Sequence, residues 1–228
     1  MPITITTWNV QNFAQSDSVF TDKLNFLIGT LQALGSDVVA LQEILDEDAL
    51  RDLADGLGFR HFAADPDGRG NRVAFLTRNA LAQPSQQIDQ WLLPDGIQVH
   101  RFGEDGNVEV VPQFRRPALQ ITVENDGREI DLITAHLKSK LLTFGGNFST
   151  TDETLRARTA YFALQRRAAE AATLREHANR LQTTGRNLVV LGDLNRPPRR
   201  MSCTGTGQPA ARRRRRNTGL WGVSAGGC

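Results

Sequence analysis

With 228 residues, 39% of them hydrophobic, the chain is long enough to bury one sizeable domain core. Its 27 Lys and Arg against 25 Asp and Glu exclude a uniformly basic or acidic protein. No stretch is long and apolar enough to span a membrane, and Met1-Pro2-Ile3-Thr4 leads straight into a strand pattern, so the expectation is either a cytoplasmic chain or one whose leader has been left out.

Ile3 to Val10 alternates apolar and polar residues as a half-buried strand does, and it places Asn9 near its end, before Gln11-Asn12-Phe13. Leu24, Leu27, Ile28, Leu31 and Leu34 then recur at helical spacing up to Gly35. Asp37-Val38-Val39-Ala40-Leu41-Gln42-Glu43 is a second strand, ending on a glutamate. The acidic turn Asp46-Glu47-Asp48 favours a following helix N-terminus, and Leu50, Leu53, Ala54 and Leu57 supply that helix before Gly58 stops it. Val73 to Leu76 is a buried strand flanked by Arg72 and Arg78, which are in reach of a phosphate or are simply its solvated ends.

Between about residues 80 and 115 the pattern weakens. Prolines stand at 84, 94 and 112 and a glycine-rich turn runs from Gly103 to Gly106, which predicts loops with short strands around Trp91, His100, Arg101 and Phe102. After Arg116-Pro117, the segment Ala118 to Val123 is a strand, and Asn125-Asp126-Gly127 turns it into the next, Ile130 to Lys140. That strand carries His136, with Lys138 and Lys140 behind it.

A long helix is expected from Thr151–Glu153 to Leu181. Its apolar side is read as Tyr161, Leu164, Ala168, Ala171, Ala172 and Leu174, with Arg156, Arg158, Arg166, Arg167 and Arg175 on a solvated basic face. His61, His100 and His177 sit in no motif and receive no role. The last strand, Leu188 to Leu191, is too short for a helix and rich in β-branched residues. Gly192 lets the backbone turn after it, and Asp193 and Asn195, two apart, point the same way if the chain stays extended.

Four apolar strands thus finish in groups that can bind metal or phosphate. Singly, each has a plain alternative: a packed or solvent-facing His136, a Glu43 that only opens the acidic turn, lysines that guard a sheet edge, or an Asp193 in a solvated turn. In order, Trp8-Asn9-Val10, Leu41-Gln42-Glu43, Thr134-Ala135-His136-Leu137-Lys138-Ser139 and Gly192-Asp193-Leu194-Asn195 resemble the endonuclease/exonuclease/phosphatase superfamily of deoxyribonuclease I-like proteins, over residues 1 to about 195. The resemblance implies hydrolysis of phosphate esters, by a phosphodiesterase or nuclease, with Mg²⁺ or alternatively Mn²⁺. It implies Glu43 and Asn9 as metal ligands and Asp193 as the residue that orients or deprotonates the attacking water. Asn195 is implied as its phosphate-binding partner, and His136 as donor to the phosphate or leaving oxygen. Lys138 and Arg72 are further phosphate-binding candidates. Tyr161, the sole tyrosine, lies in a region from which the family often supplies a tyrosine to the site.

Strands interleaved with helices and a hairpin give an α+β class, expected as a four-layer α/β/β/α sandwich of two mixed β-sheets that lacks its last strands. The expected domain is 1–195. Residues 196–228 form a second piece with eight arginines and no Asp or Glu, which leaves 19 basic and 25 acidic residues, a net −6, in 1–195. Both cysteines, Cys203 and Cys228, fall in this tail, so the folded part is expected to have no disulfide partner. The tail's composition predicts disorder. It reads either as an arm for nucleic acid or another polyanion, built on Arg212 to Arg216, or as the product of a reading-frame change just past Asn195. The second reading follows from the absence of a histidine after His177, because the family ends on an Asp-His pair; it makes the alternative function a catalytically impaired fragment.

Overall fold

Short runs of β-branched residues bounded by polar turns build the first sheet. The computed structural model describes residues 2–78, 80–90, 98–103, 107–111, 113–139, 141–144 and 147–195. In it, Ile5–Phe13 (β1), Val38–Ile44 (β2), Arg60–Ala63 (β3) and Arg72–Thr77 (β4) lie in the order β1-β2-β4-β3. β1 and β2 are parallel and the other pairs antiparallel. Two helices connect these strands, Phe20–Ala33 (α1) and Glu47–Leu57 (α2). Asp46 caps α2 by accepting from the Asp48 N–H, a contact worth about 1 kcal/mol, and Gly58 ends it in the left-handed conformation.

The second sheet has the order β10-β9-β8-β5, from Leu81–Gln90 (β5), Gln113–Asn125 (β8), Arg128–His136 (β9) and Asn187–Asp193 (β10). β10 runs parallel to β9, while β8 is antiparallel to both β9 and β5. Val99–Phe102 (β6) and Val108–Val111 (β7) form a separate two-stranded ribbon. The helix Glu153–Gln182 (α3) bridges β9 to β10, as a parallel connection requires.

Burial on both faces explains the apolar runs Val38–Leu41 of β2 and Val73–Leu76 of β4. Val39, Leu41 and Leu76 meet Leu27, Leu31, Leu50 and Leu53 of α1 and α2, while Val38, Ala40, Val73 and Phe75 face Leu119, Ile121, Val123 and Leu132 of the second sheet. The outer side of that sheet packs Ile133, Ala135 and Leu137 against Leu174 of α3. Each such fully buried side chain contributes roughly 1.5–3 kcal/mol. The result is the α/β/β/α sandwich of two mixed sheets anticipated from the strand pattern.

Two expectations are corrected. In the stretch from 80 to 115, β6 and β7 are the short strands expected, but β5 is ten residues long and forms an edge of the second sheet. Pro84 hid it, yet an edge strand tolerates proline, and the pairing with β8 shifts register on either side of it. Trp91, Pro94, Gly106, Pro112, Lys140 and the tail from Arg196 lie outside the described residues.

The second correction concerns the face of α3. Leu174 is buried as expected, but Tyr161 and Leu164 are exposed, as are Ala168, Ala171 and Ala172; the helix also buries Ala163, Ala169, Glu170, Thr173, His177 and Ala178, together with Arg166, which was expected on the solvated face. Alanines recur all around α3, so no stripe distinguishes an apolar side. The polar partners decide it. Arg166 Nε donates to Glu170 Oε1 at 3.0 Å, Glu170 Oε2 accepts from the Lys138 N–H at 2.6 Å, and His177 Nε2 pairs with Gln120 Oε1 at 2.6 Å.

Candidate active site

Parallel pairing aligns strand ends. β1 and β2 finish together, as do β9 and β10, and β1 and β10 are the terminal strands of their sheets, so both sets of C-terminal ends meet at one side of the sandwich. Asn9 stands opposite Gln42 in register, next to Glu43, and Asp193 stands opposite His136.

One amide joins the two sheets there. Asn9 Nδ2 donates to Glu43 Oε1 at 2.9 Å and to Asp193 Oδ2 at 3.0 Å, while its Oδ1 accepts from the Gln11 N–H at 3.0 Å. His136 Nε2 lies 3.9 Å from Glu43 Oε1 and 3.8 Å from Asp193 Oδ2. Asn195 closes the turn: its N–H donates to Asp193 Oδ1 at 2.9 Å and its Nδ2 to the Leu137 carbonyl at 2.8 Å. Asn9, Glu43, His136, Asp193 and Asn195 are therefore brought together.

The backbone is strained at this centre. Gln11, Asn12, Glu43 and Asn195 all have φ between 52° and 63°, a region that costs a side-chain-bearing residue roughly 1–2 kcal/mol. Gly192, at φ 127°, allows a close approach that a Cβ would block against the Ala135 carbonyl. Strain of this kind persists only where neighbouring contacts over-determine it, and it gathers at functional sites.

Burial sets the charge of the histidine. His136 is 9% exposed, and desolvation, followed by the positive field of Arg116, pushes its imidazole down to about 4 against the opposing pull of Asp193 and Glu43. It is neutral at pH 7. Its Nδ1 is buried and has no hydrogen-bond partner among the described residues.

The remaining candidates are placed differently. Lys138 Nζ curls back onto the carbonyls of Ser139 and Leu141, at 3.1 and 2.7 Å, and desolvation, then Arg166, lowers it to about 8. Arg72 is engaged with Glu47 at 2.8 Å. Tyr161 is exposed, with its ring against Phe162.

Sequence reasoning missed the support around these groups. Arg116 donates through Nε and Nη2 to Asp67 Oδ2, at 3.2 and 2.9 Å, and its Nη1 lies 3.5 Å from the His136 carbonyl. Asp67 also accepts from the N–H groups of Arg69 and Asn71. The turn-forming run Asp67-Gly68-Arg69-Gly70-Asn71 carried the signal for that loop. Nothing local marked Glu170 as the acceptor of the Lys138 N–H, and the motif Leu41-Gln42-Glu43 did not show that Gln42 reaches Thr134, because those partners are distant in sequence.

Among the described residues no group of three or more His, Cys, Asp or Glu side chains is arranged to hold a metal ion, and no helix is long and apolar enough to cross a membrane.

Sandwich and strand-end site together define a two-sheet protein whose carboxylates, amides and histidine converge where both sheets end. The chain belongs to the Endonuclease/Exonuclease/phosphatase family, whose model matches residues 6–222, a span that runs beyond Asn195. The activities in that family's name all cleave phosphate esters. Among curated proteins no sequence matches. Solved structures share the fold: the human Nocturnin catalytic domain with bound sulfate (19% identity, TM-score 0.54, covering 87% of this chain and 66% of that one); D. rerio TDP2 humanised by 14 mutations (19%, 0.52, 86% and 67%); and truncated Caenorhabditis elegans TDP2 (13%, 0.54, 86% and 63%). The chain thus spans about two thirds of the length of these structures.

Proposed function

We propose that the protein is a divalent-metal-dependent phosphoesterase acting on phosphodiesters, in the manner of a phosphodiesterase or nuclease. The observation that carries this reading is the convergence of Glu43 and Asp193 on a single amide, with a neutral histidine within 4 Å of both.

The donor set fits Mg²⁺, or Mn²⁺ in its place. Two part-exposed carboxylates share one neutral donor, and among the described residues neither pairs with a lysine or arginine. Such hard oxygen ligands, few in number and open to water, suit a cation that keeps several of its waters. Glu43 would hold it, with the Asn9 amide beside it. Bound there, the ion supplies positive charge against the phosphate and acidifies water.

The chain's own residues do the rest. Asp193 accepts the proton of the attacking water at Oδ2. His136, neutral and, among the described residues, unpaired at Nδ1, donates from Nε2–H to a phosphate or leaving oxygen. Asn195, fixed on the Leu137 carbonyl, turns its remaining amide hydrogen to the phosphate, and the Arg116–Asp67 pair holds the end of β9. The Nocturnin structure carries a bound sulfate, a tetrahedral anion like the group to be bound here.

Hydrolysis of a bis-aryl phosphate with Mg²⁺ or Mn²⁺ tests this reading. The full chain should show metal-dependent turnover that falls about 10²–10⁴-fold in Asp193→Ala. An unchanged rate in that variant, or no turnover with either metal, overturns it. Salt-sensitive nucleic-acid binding without turnover, abolished by deleting 196–228, would instead favour a fragment that binds through its arginine-rich tail.

A further inference from the structure

Glu170 stands in the Ala-rich run Ala168-Ala169-Glu170-Ala171-Ala172 of α3, and it is 4% exposed. The same face of the helix buries Ala163, Ala169 and Ala178, which need no partner, whereas a carboxylate at that depth must be paired. Arg166 Nε supplies the pair at 3.0 Å to Oε1. Such a buried pair adds little net stability over apolar side chains of the same volume, so its distinctive product is the second oxygen that it holds in place. That oxygen, Oε2, accepts from the Lys138 N–H at 2.6 Å.

The peptide it grips lies one step beyond the sheet. The Leu137 N–H still donates to the Asp193 carbonyl, at 3.0 Å, and the next amide, that of Lys138, turns instead to α3. The Leu137 carbonyl and the Lys138 N–H belong to one planar trans peptide and point to opposite sides of it. Asn195 Nδ2 holds the carbonyl side at 2.8 Å and Glu170 the other. One rigid plane therefore links the buried carboxylate of α3 to the side chain of Asn195.

Asn195 depends on that link. Its φ of 52° must be imposed by its contacts, which are the Asp193 carboxylate at its N–H and the Leu137 carbonyl at its side chain. Without an acceptor at Lys138 the plane is free to turn about its flanking torsions, and a turn of about 30° carries the carbonyl oxygen about 1 Å. Misplacement of that size at a reacting centre costs up to about 10²-fold in rate.

We propose that Glu170 is a positioning residue: by gripping the Leu137–Lys138 peptide it fixes the carbonyl that tethers Asn195, and so aims the free amide hydrogen of Asn195 at the phosphate. The proposal rests on the phosphoesterase reading above.

Two variants that lack the buried charges and differ only in the acceptor test it, Arg166→Met/Glu170→Leu and Arg166→Met/Glu170→Gln. The glutamine oxygen still accepts from the Lys138 N–H. Should the leucine version not fold, Arg166→Met/Glu170→Met takes its place. On the bis-aryl phosphate the leucine version should lose about tenfold in kcat/KM, and the glutamine version should stay within about twofold of the wild type. Built on Asn195→Ala, the two versions should be equal, because the residue through which the acceptor works is gone. Equal rates without Asn195→Ala, or a tenfold gap that persists with it, overturn the proposal.

A second measurement needs no turnover. In the ¹H–¹⁵N spectrum of the metal-free full chain, the Asn195 side-chain amide is the pair of signals that Asn195→Ala removes. One of its protons should lie downfield in the wild type and the glutamine version, and move toward the free-amide position in the leucine version. If the wild type hydrolyses nothing, the phosphoesterase reading fails and the spectrum alone judges the tether. A signal that moves in this way supports it, and one that stays in place in all three proteins overturns it.

Discussion

Glu43 combines two costs in one residue. Its φ of 63° is a conformation that glycine adopts freely, and its carboxylate shares the Asn9 amide with that of Asp193 instead of having a cation of its own. Glu43→Gly relieves both, so the metal-free protein should gain about 1 kcal/mol of stability, read by urea unfolding in EDTA, while metal-dependent hydrolysis is lost. A variant that is less stable than the wild type would show that Glu43 is retained for the fold. Asn195 and Asn12 share the backbone state, and asparagine bears it better than glutamate because its short polar side chain can bond to nearby backbone; Asn195 is held further by its bond to the Leu137 carbonyl of the neighbouring chain segment. The sequence revealed these residues as polar ends of apolar strands. It did not reveal the left-handed turns that aim them, because an extended continuation past Asp193 reads the same.

At the scale of elements, α3 shows what periodicity reaches and what it misses. Its limits follow from Asp152, which caps the helix by accepting from the Leu155 N–H, and from the end of the Ala-, Leu- and Arg-rich run. Its buried face was illegible, because that face is chosen by Glu170, Arg166 and His177 finding partners within the helix, on β8 and just past β9. Glu170→Ala should cost about 3–5 kcal/mol, since Arg166 is left buried without its acid and the Lys138 N–H without an acceptor. Arg166→Met/Glu170→Leu, which removes both charges, should recover most of the loss in the same unfolding measurement. The histidines of these elements make the fold sensitive to acid. An unfolded imidazole takes its proton near pH 6.5, as ordinary histidine does, whereas His136 is held to about 4 and His177 is also lowered, by desolvation and then Arg180. Between those values these histidines bind more protons in the unfolded chain, so their contribution to stability is full above about pH 6.5 and falls as the pH drops toward 4. Unfolding midpoints at pH 7.5, 6 and 5 should decline in that order, and less steeply in His177→Gln.

The molecule as a whole divides the site between its sheets: Asn9 and Glu43 come from the first, His136, Asp193 and Asn195 from the second. The geometry of the candidate site is therefore a property of sheet docking, which no local motif encodes. The strand ends were legible one by one, and their meeting became legible only through the ordered set of motifs. Apolar contacts of Val73 and Phe75 on β4 with Ile121 on β8 and Leu132 on β9 supply adhesion but little direction. Direction comes from Gln42, 1% exposed and adjacent to Glu43, whose Nε2 donates to Thr134 Oγ1 across the interface at 3.1 Å and contacts Thr7 Oγ1 at 3.3 Å. Thr134 is fully buried two residues before His136, so this bond fixes the separation of Glu43 from the histidine. Gln42→Leu keeps the bulk but leaves the Thr134 hydroxyl without its donor, which should cost about 1–3 kcal/mol. Adding Thr134→Val removes the orphaned hydroxyl and should restore stability. If the hydrogen bond sets the geometry, that double variant will remain about tenfold slower in kcat although Asn9, Glu43, His136 and Asp193 are intact. A stable double variant that turns over at the wild-type rate would show that apolar packing alone aligns the two halves.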